Sequence, residues 1–113
     1  MRHMDERLTE RLVAAMEYVP DFPKPGVVFK DLGPVWRDPA LCGDLVAAMA
    51  SHGKALAADA VIGIESRGFL LGMPLALALD VPFVLARKAG KLPGQVHKVA
   101  YGLEYGEAVL EMQ

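Results

Sequence analysis

Four positive charges fall in one acid-free stretch of the sequence. Arg87, Lys88, Lys91 and Lys98, with His97 beside them, lie between Asp80 and Glu104, and no carboxylate interrupts them. The chain as a whole carries a formal net charge of −2. A local basic loop on an acidic protein suits a small anion better than a polymer. A second cationic turn, Glu65-Ser66-Arg67-Gly68, follows the apolar run AVIGI at 60–64 and precedes an apolar helical segment. Backbone N–H groups at a helix start suit an anion, and Arg67 adds a planar guanidinium that matches phosphate. Gly68 permits close approach. The glycines and Pro93 of the 88–98 stretch allow that loop to close over a ligand. The same residues would also serve as an ordinary strand–helix connection and a solvated surface loop. Placed at the ends of neighbouring strands, each turn raises the case for the other.

Two further segments could do chemistry. In Leu103-Glu104-Tyr105-Gly106 a carboxylate sits next to an aromatic, a pairing suited to acid–base work beside a planar base. Val27-Val28-Phe29-Lys30 could stack on a planar ligand or could simply be core. Cys42 is the one cysteine and has no histidine at catalytic spacing, so it is read as structural. His3, His52 and His97 are too scattered to argue for a metal site.

The elements that must position these residues are legible from periodicity. Leu8, Leu12, Met16 and Val19 recur at helical spacing and predict an amphipathic helix over 5–19, stopped by Pro20. The three prolines of PDFPKPG predict an extended, stiff segment, followed by a short strand at Val27–Phe29. Asp38-Pro39 reads as a helix start, with Gly53 as its C-terminal cap. Residues 60–64 suit a strand buried on both faces of a parallel sheet. A helix then runs to about Leu79, with Pro74 expected to kink it or delay its regular part. PFVLAR supplies the next buried strand. Residues 38–87 therefore spell helix–strand–helix–strand, an α/β pattern. Two more strands are expected at 99–105 and 107–112, turning at Gly106.

Composition bounds the rest. With 113 residues, 53% of them apolar, the chain is long enough for one domain with a real core and too short for two. The net charge of −2 argues against a general nucleic-acid binder. The longest apolar stretch, Phe69 to Leu79, is well short of a bilayer span. The charged start, MRHMDERLTER, does not read as a signal peptide. One cysteine and no Cys/His ligand spacing fit a reducing compartment, so a cytoplasmic protein is expected.

Taken together, DFPKPGVVFKDLGP (21–34), GIESRGFLLG (63–72), RKAGKLPG (87–94) and YGLEYGEAVLE (101–111) resemble the adenine phosphoribosyltransferases, a branch of the type I phosphoribosyltransferase family. These stretches run in the family's order over nearly the whole chain beyond residue 20. The resemblance implies a partial type I phosphoribosyltransferase-like α/β fold: a parallel sheet with flanking helices and an antiparallel flexible hairpin. It implies one domain over 1–113, with an N-terminal helix over 1–19 and an adenine-side hood over 20–34.

The implied reaction joins adenine and 5-phosphoribosyl pyrophosphate to give AMP and pyrophosphate, a purine-salvage step. Mg²⁺ is bound through the donor and not by the protein. By position, Val28, Phe29 and Lys30 match the adenine pocket. Ser66 and Arg67 match the pyrophosphate loop, and Arg87, Lys88 and Lys91 match its cationic contacts, which in this family often reach from a neighbouring subunit. Glu104 matches the residue that handles a proton on adenine, and Tyr105 the residue that helps close the site. A homodimer is expected, with no nucleic-acid or membrane partner.

Two departures from the family pattern stand out. Lys30 occupies a position commonly held by arginine, which keeps the charge but loses bidentate geometry. The family's donor loop, two adjacent acids followed by a Thr/Gly-rich turn that grips the ribose and 5′-phosphate, has no counterpart here. Asp5-Glu6 is the one adjacent acid pair, and Thr9 the one threonine. Without groups that position the sugar, most of the proximity advantage is forfeited. The 113 residues alone are therefore expected to be inactive, and an apolar sheet edge is expected to drive self-association. A non-catalytic purine- or phosphate-binding module, or a regulator derived from the enzyme, is the alternative reading.

Overall fold

Asp38 and Pro39 start the longest of the described helices. In the computed structural model, which describes residues 6–103 and 106–113, Asp38 Oδ1 accepts a 3.1 Å hydrogen bond from the Leu41 amide. That satisfies one of the donors every helix leaves free at its start. The chain clusters into two compact units, Met1–His52 and Gly53–Gln113, and each is described in turn.

The first unit opens with α1 (Glu6–Ala15), then β1 (Glu17–Pro20), β2 (Val28–Asp31), the single-turn α2 (Gly33–Trp36) and α3 (Pro39–Ala55). Leu8, Val35 and Leu41 form its buried core, with Leu12, Met16, Trp36 and Cys42 packed around them. Val35 is fully buried, which removes enough apolar surface from water to contribute about 1.5–3 kcal/mol. The Cys42 thiol donates to the Val35 carbonyl at 3.0 Å.

The amphipathic stripe expected to continue through Val19 stops at Ala15. Tyr18 and Val19 instead enter β1, which pairs antiparallel with β2, Val19 opposite Phe29 and Tyr18 opposite Lys30. Aromatic and β-branched residues gain more from cross-strand neighbours than from another helical turn. The proline-rich segment between them is a tight connection and not an extended one. The Asp21 carboxylate accepts from the Gly26 amide at 3.0 Å, and the Phe22 amide donates to the Val27 carbonyl at 3.1 Å. Its Phe22–Pro23 peptide is cis.

The second unit holds β3 (Val61–Ile64), α4 (Arg67–Leu79), β4 (Phe83–Lys88), β5 (His97–Leu103) and β6 (Gly106–Met112). The order across the sheet is β3-β4-β6-β5. The β3–β4 pair is parallel and bridged by α4, while β4–β6 and β5–β6 are antiparallel. The fold is thus α/β with flanking helices and an antiparallel hairpin, as expected, but the sheet is mixed, with one parallel pair among the described residues. Gly106, expected as the turn of this hairpin, instead opens β6 opposite Leu103; residues 104 and 105 lie outside the described residues.

Close packing of α4 on the parallel pair depends on missing side chains. A Cβ placed on Gly63 would come within 2.5 Å of the Phe83 ring, and one on Gly72 equally close. The Phe83 ring therefore lies over two glycines, one on the strand and one on the helix, and meets Phe69 edge-on. Gly53, expected as a helix cap, plays a packing role of the same kind. A Cβ there would lie 2.8 Å from Leu79 Cδ1. The left-handed residue that follows α3 is Ala57, at φ +52°, with its amide bonded back to the Lys54 carbonyl at 3.0 Å. Pro74 lies inside α4 without ending it; Asp80, at φ +56°, closes the helix.

Candidate anion site

Parallel pairing of β3 and β4 brings their carboxyl ends side by side. Ile64 lies opposite Ala86, and the ladder extends one step further as the Glu65 amide donates to the Ala86 carbonyl at 2.9 Å. The two cationic turns therefore leave the sheet from adjacent strand tips, where ligands of open α/β sheets bind.

Glu65 stands at the centre of this corner. Its Oε1 accepts from Arg87 Nε at 3.0 Å and from the Lys88 amide at 3.1 Å, and its Oε2 accepts from Lys91 Nζ at 2.7 Å. The side chain is only 7% exposed. These donors hold its carboxyl down at about 2, Lys91 contributing most and burial opposing. Sequence reading placed Glu65 in the turn but gave it no role. The signal was available: a lone acid at one strand tip, beside a neighbouring tip crowded with cations.

Glu65 does not exhaust the positive charge gathered here. It carries one negative charge, while Arg87 and Lys91 carry one each and Lys88 adds a third. Arg87 gives the carboxylate only its Nε. Its two terminal NH₂ groups have no hydrogen-bond partner among the described residues, and a guanidinium has five N–H donors to place. The exposed Lys88 side chain is in the same position.

Arg67 is exposed at the first position of α4 and makes no hydrogen bond or ion pair among the described residues. Ser66 occupies the cap position without bonding its hydroxyl to the helix, so the first N–H groups of α4 are left without a side-chain cap. The Glu65–Ser66 peptide is cis. A Cβ on Gly68 would lie 3.4 Å from the Gly63 backbone, so the close approach this glycine permits is made by β3. Ser66, Arg67, Arg87, Lys88 and Lys91 thus come from two adjacent strand ends, and the structure adds Glu65 as the group that binds three of them.

Val28, Phe29 and Lys30 are in the first unit, on β2. Strand alternation puts Val28 and Lys30 on one face with Tyr18, and Phe29 on the other. Phe29 meets the Phe22 ring edge-on, centroids 5.2 Å apart. Glu104 and Tyr105 lie outside the described residues. Among those described, no cluster of three His, Cys, Asp or Glu side chains is arranged to hold a metal ion, and no helix is long and apolar enough to cross a membrane.

Known proteins resemble this chain over most of its length. The adenine phosphoribosyltransferase of a Nocardioides species is 52% identical to the chain, over 93% of it and 58% of the relative. Over nearly its whole length the chain is similar to adenine phosphoribosyltransferases. The yeast (Saccharomyces cerevisiae) member, solved with adenine and an imino-altritol bisphosphate, superposes with a TM-score of 0.88 at 42% identity, covering 96% of the chain and 64% of the yeast protein. The Trypanosoma brucei member, solved with AMP, pyrophosphate and ribose-5-phosphate, gives 0.78 at 28% identity, covering 92% and 48%. The chain spans roughly three-fifths of the length of the first of these relatives. No protein-family model matches it.

Proposed function

We propose that these residues form the adenine- and pyrophosphate-facing part of an adenine phosphoribosyltransferase. The observation that carries this reading is the surplus of positive charge around Glu65, set beside the uncapped start of α4. In the reaction, adenine N9 forms a bond to the ribose C1 as the C1–oxygen bond to pyrophosphate breaks. Negative charge grows on the departing pyrophosphate. Cations and N–H groups already in place stabilise that charge without having to reorganise. Arg67, Lys88, Lys91 and the free NH₂ groups of Arg87 fill this role, with Ser66 and the α4 amides beside them. Mg²⁺ arrives with the donor as part of the substrate.

Val28, Phe29 and Lys30 contact adenine, Glu104 exchanges a proton with it, and Tyr105 helps to close the site. The protein works as a cytoplasmic homodimer. Sedimentation checks the dimer: a monomer at every concentration would count against it.

Calorimetric titration of pyrophosphate, adenine and AMP into the folded chain tests the assignment. Pyrophosphate should bind, and more weakly as salt rises. A folded chain that binds none of the three would refute it. The 113 residues alone should make no detectable AMP from adenine and donor, since no Thr/Gly-rich turn is present to hold the ribose. Turnover by the purified chain would show that turn to be dispensable.

A further inference from the structure

A buried carboxylate is costly to maintain unless its oxygens are bonded. Among the described residues, Glu111 is the buried charged residue, 3% exposed. It lies on β6, the strand between β4 and β5. Across the ladders its partners are Arg87 on one side and Lys98 on the other. Both of its oxygens are engaged. Oε1 accepts from the Gly90 amide at 2.8 Å, and Oε2 pairs with Lys98 Nζ at 3.4 Å.

The residue that Glu111 holds is a glycine with a left-handed backbone. Gly90 sits at φ +84°, although a Cβ there would meet nothing within 4 Å. Space does not require glycine at this position; the left-handed backbone that carries the chain on from the held amide does. Two residues earlier, the Lys88 amide points to the other carboxylate, Glu65. The loop is therefore held on alternate amides by two acids from different elements, and Lys91, next after Gly90, reaches Glu65. A third tie, Gln113 Nε2 to the Pro93 carbonyl at 3.1 Å, again joins the end of β6 to the loop.

We infer that Glu111 is a positioning residue: by holding the Gly90 amide and Lys98 it fixes the loop to β6 and sets where Lys88 and Lys91 present their charge. Its consequence for ligand binding rests on the pyrophosphate reading above. The geometry itself does not.

Three proteins test the inference: the unaltered chain, Glu111→Ala and Glu111→Gln. Circular dichroism confirms folding, and NMR follows the Glu65 carboxyl through acid titration. In Glu111→Ala the Glu65 midpoint should move up from about 2 toward the ordinary 4.5, as Lys91 and the Lys88 amide lose their fixed position. Pyrophosphate affinity should fall on the order of tenfold, the worth of one hydrogen bond to a charged group. Glu111→Gln keeps an oxygen for Gly90 and should leave Glu65 titrating near its original midpoint. A folded Glu111→Ala protein in which Glu65 titrates as before overturns the inference.

If none of the three proteins binds pyrophosphate, the proposed function fails, and the Glu65 titration still decides the role of Glu111. Should Glu111→Ala not fold, amide exchange in the unaltered protein decides. Slow exchange at Gly90 sustains the inference, and exchange at the open-chain rate overturns it.

Discussion

The Glu65 carboxylate and the Arg87 guanidinium meet at 3.0 Å across the tips of two parallel strands. The contact joins the turn that starts α4 to the strand that starts the basic loop, and among the described residues it leaves most of the arginine's donors unused. A pH dependence follows. Glu65 titrates at about 2 in the fold, against 4.5 when free. As pH falls from 4.5 toward 2 the unfolded chain takes up a proton that the folded chain does not. The stabilisation is therefore complete above 4.5 and gone below 2. Glu65→Gln should be less stable than the parent at pH 7, and the gap should close through that window. Urea unfolding at a series of pH values checks this; a gap that is constant with pH would disprove it.

Arg87 has a second test. Arg87→Ala removes the unused NH₂ groups as well as the tie to Glu65, and should weaken pyrophosphate binding by roughly tenfold or more. Arg87→Lys keeps the charge but cannot present two donors in a plane, so it should recover only part of the loss. Isothermal calorimetry at two salt concentrations separates charge from geometry, because the charge component fades with added salt.

The glycines under Phe83 give a stability prediction away from the charges. Gly72→Ala pushes a methyl into the ring and should cost about 1–3 kcal/mol. Phe83→Leu vacates part of the same volume. The double variant should be less destabilised than the sum of the two singles. Thermal unfolding of all four proteins reads the coupling, and simple additivity would mean the ring and the glycine do not compete for space.

Much of this was legible in the sequence because local chemistry and tertiary structure agree. Asp38-Pro39 announced α3, and the apolar runs at 60–64 and 82–87 announced the parallel pair that aligns the two cationic turns. Reading failed where the deciding partner is distant in the chain. Tyr18 and Val19 fit a helix by spacing and a strand by composition, and only their strand partners Lys30 and Phe29, further along the chain, choose between them. Gly53 looked like a cap because glycine usually is one there; its reason is the Leu79 side chain. Glu65 and Glu111 had no role assigned from the sequence. Their roles exist only once the sheet places them on either side of one loop.

Ala57 offers an engineering handle. An L-residue held at φ +52° is crowded by its own carbonyl at about 1–2 kcal/mol, whereas glycine's extra freedom in the unfolded chain gives back about 0.5–1 kcal/mol. The difference favours Ala57→Gly by a few tenths to about 1 kcal/mol. A preparation carrying that change should tolerate warmer storage and longer spectra while every charge around the loop is left as it was.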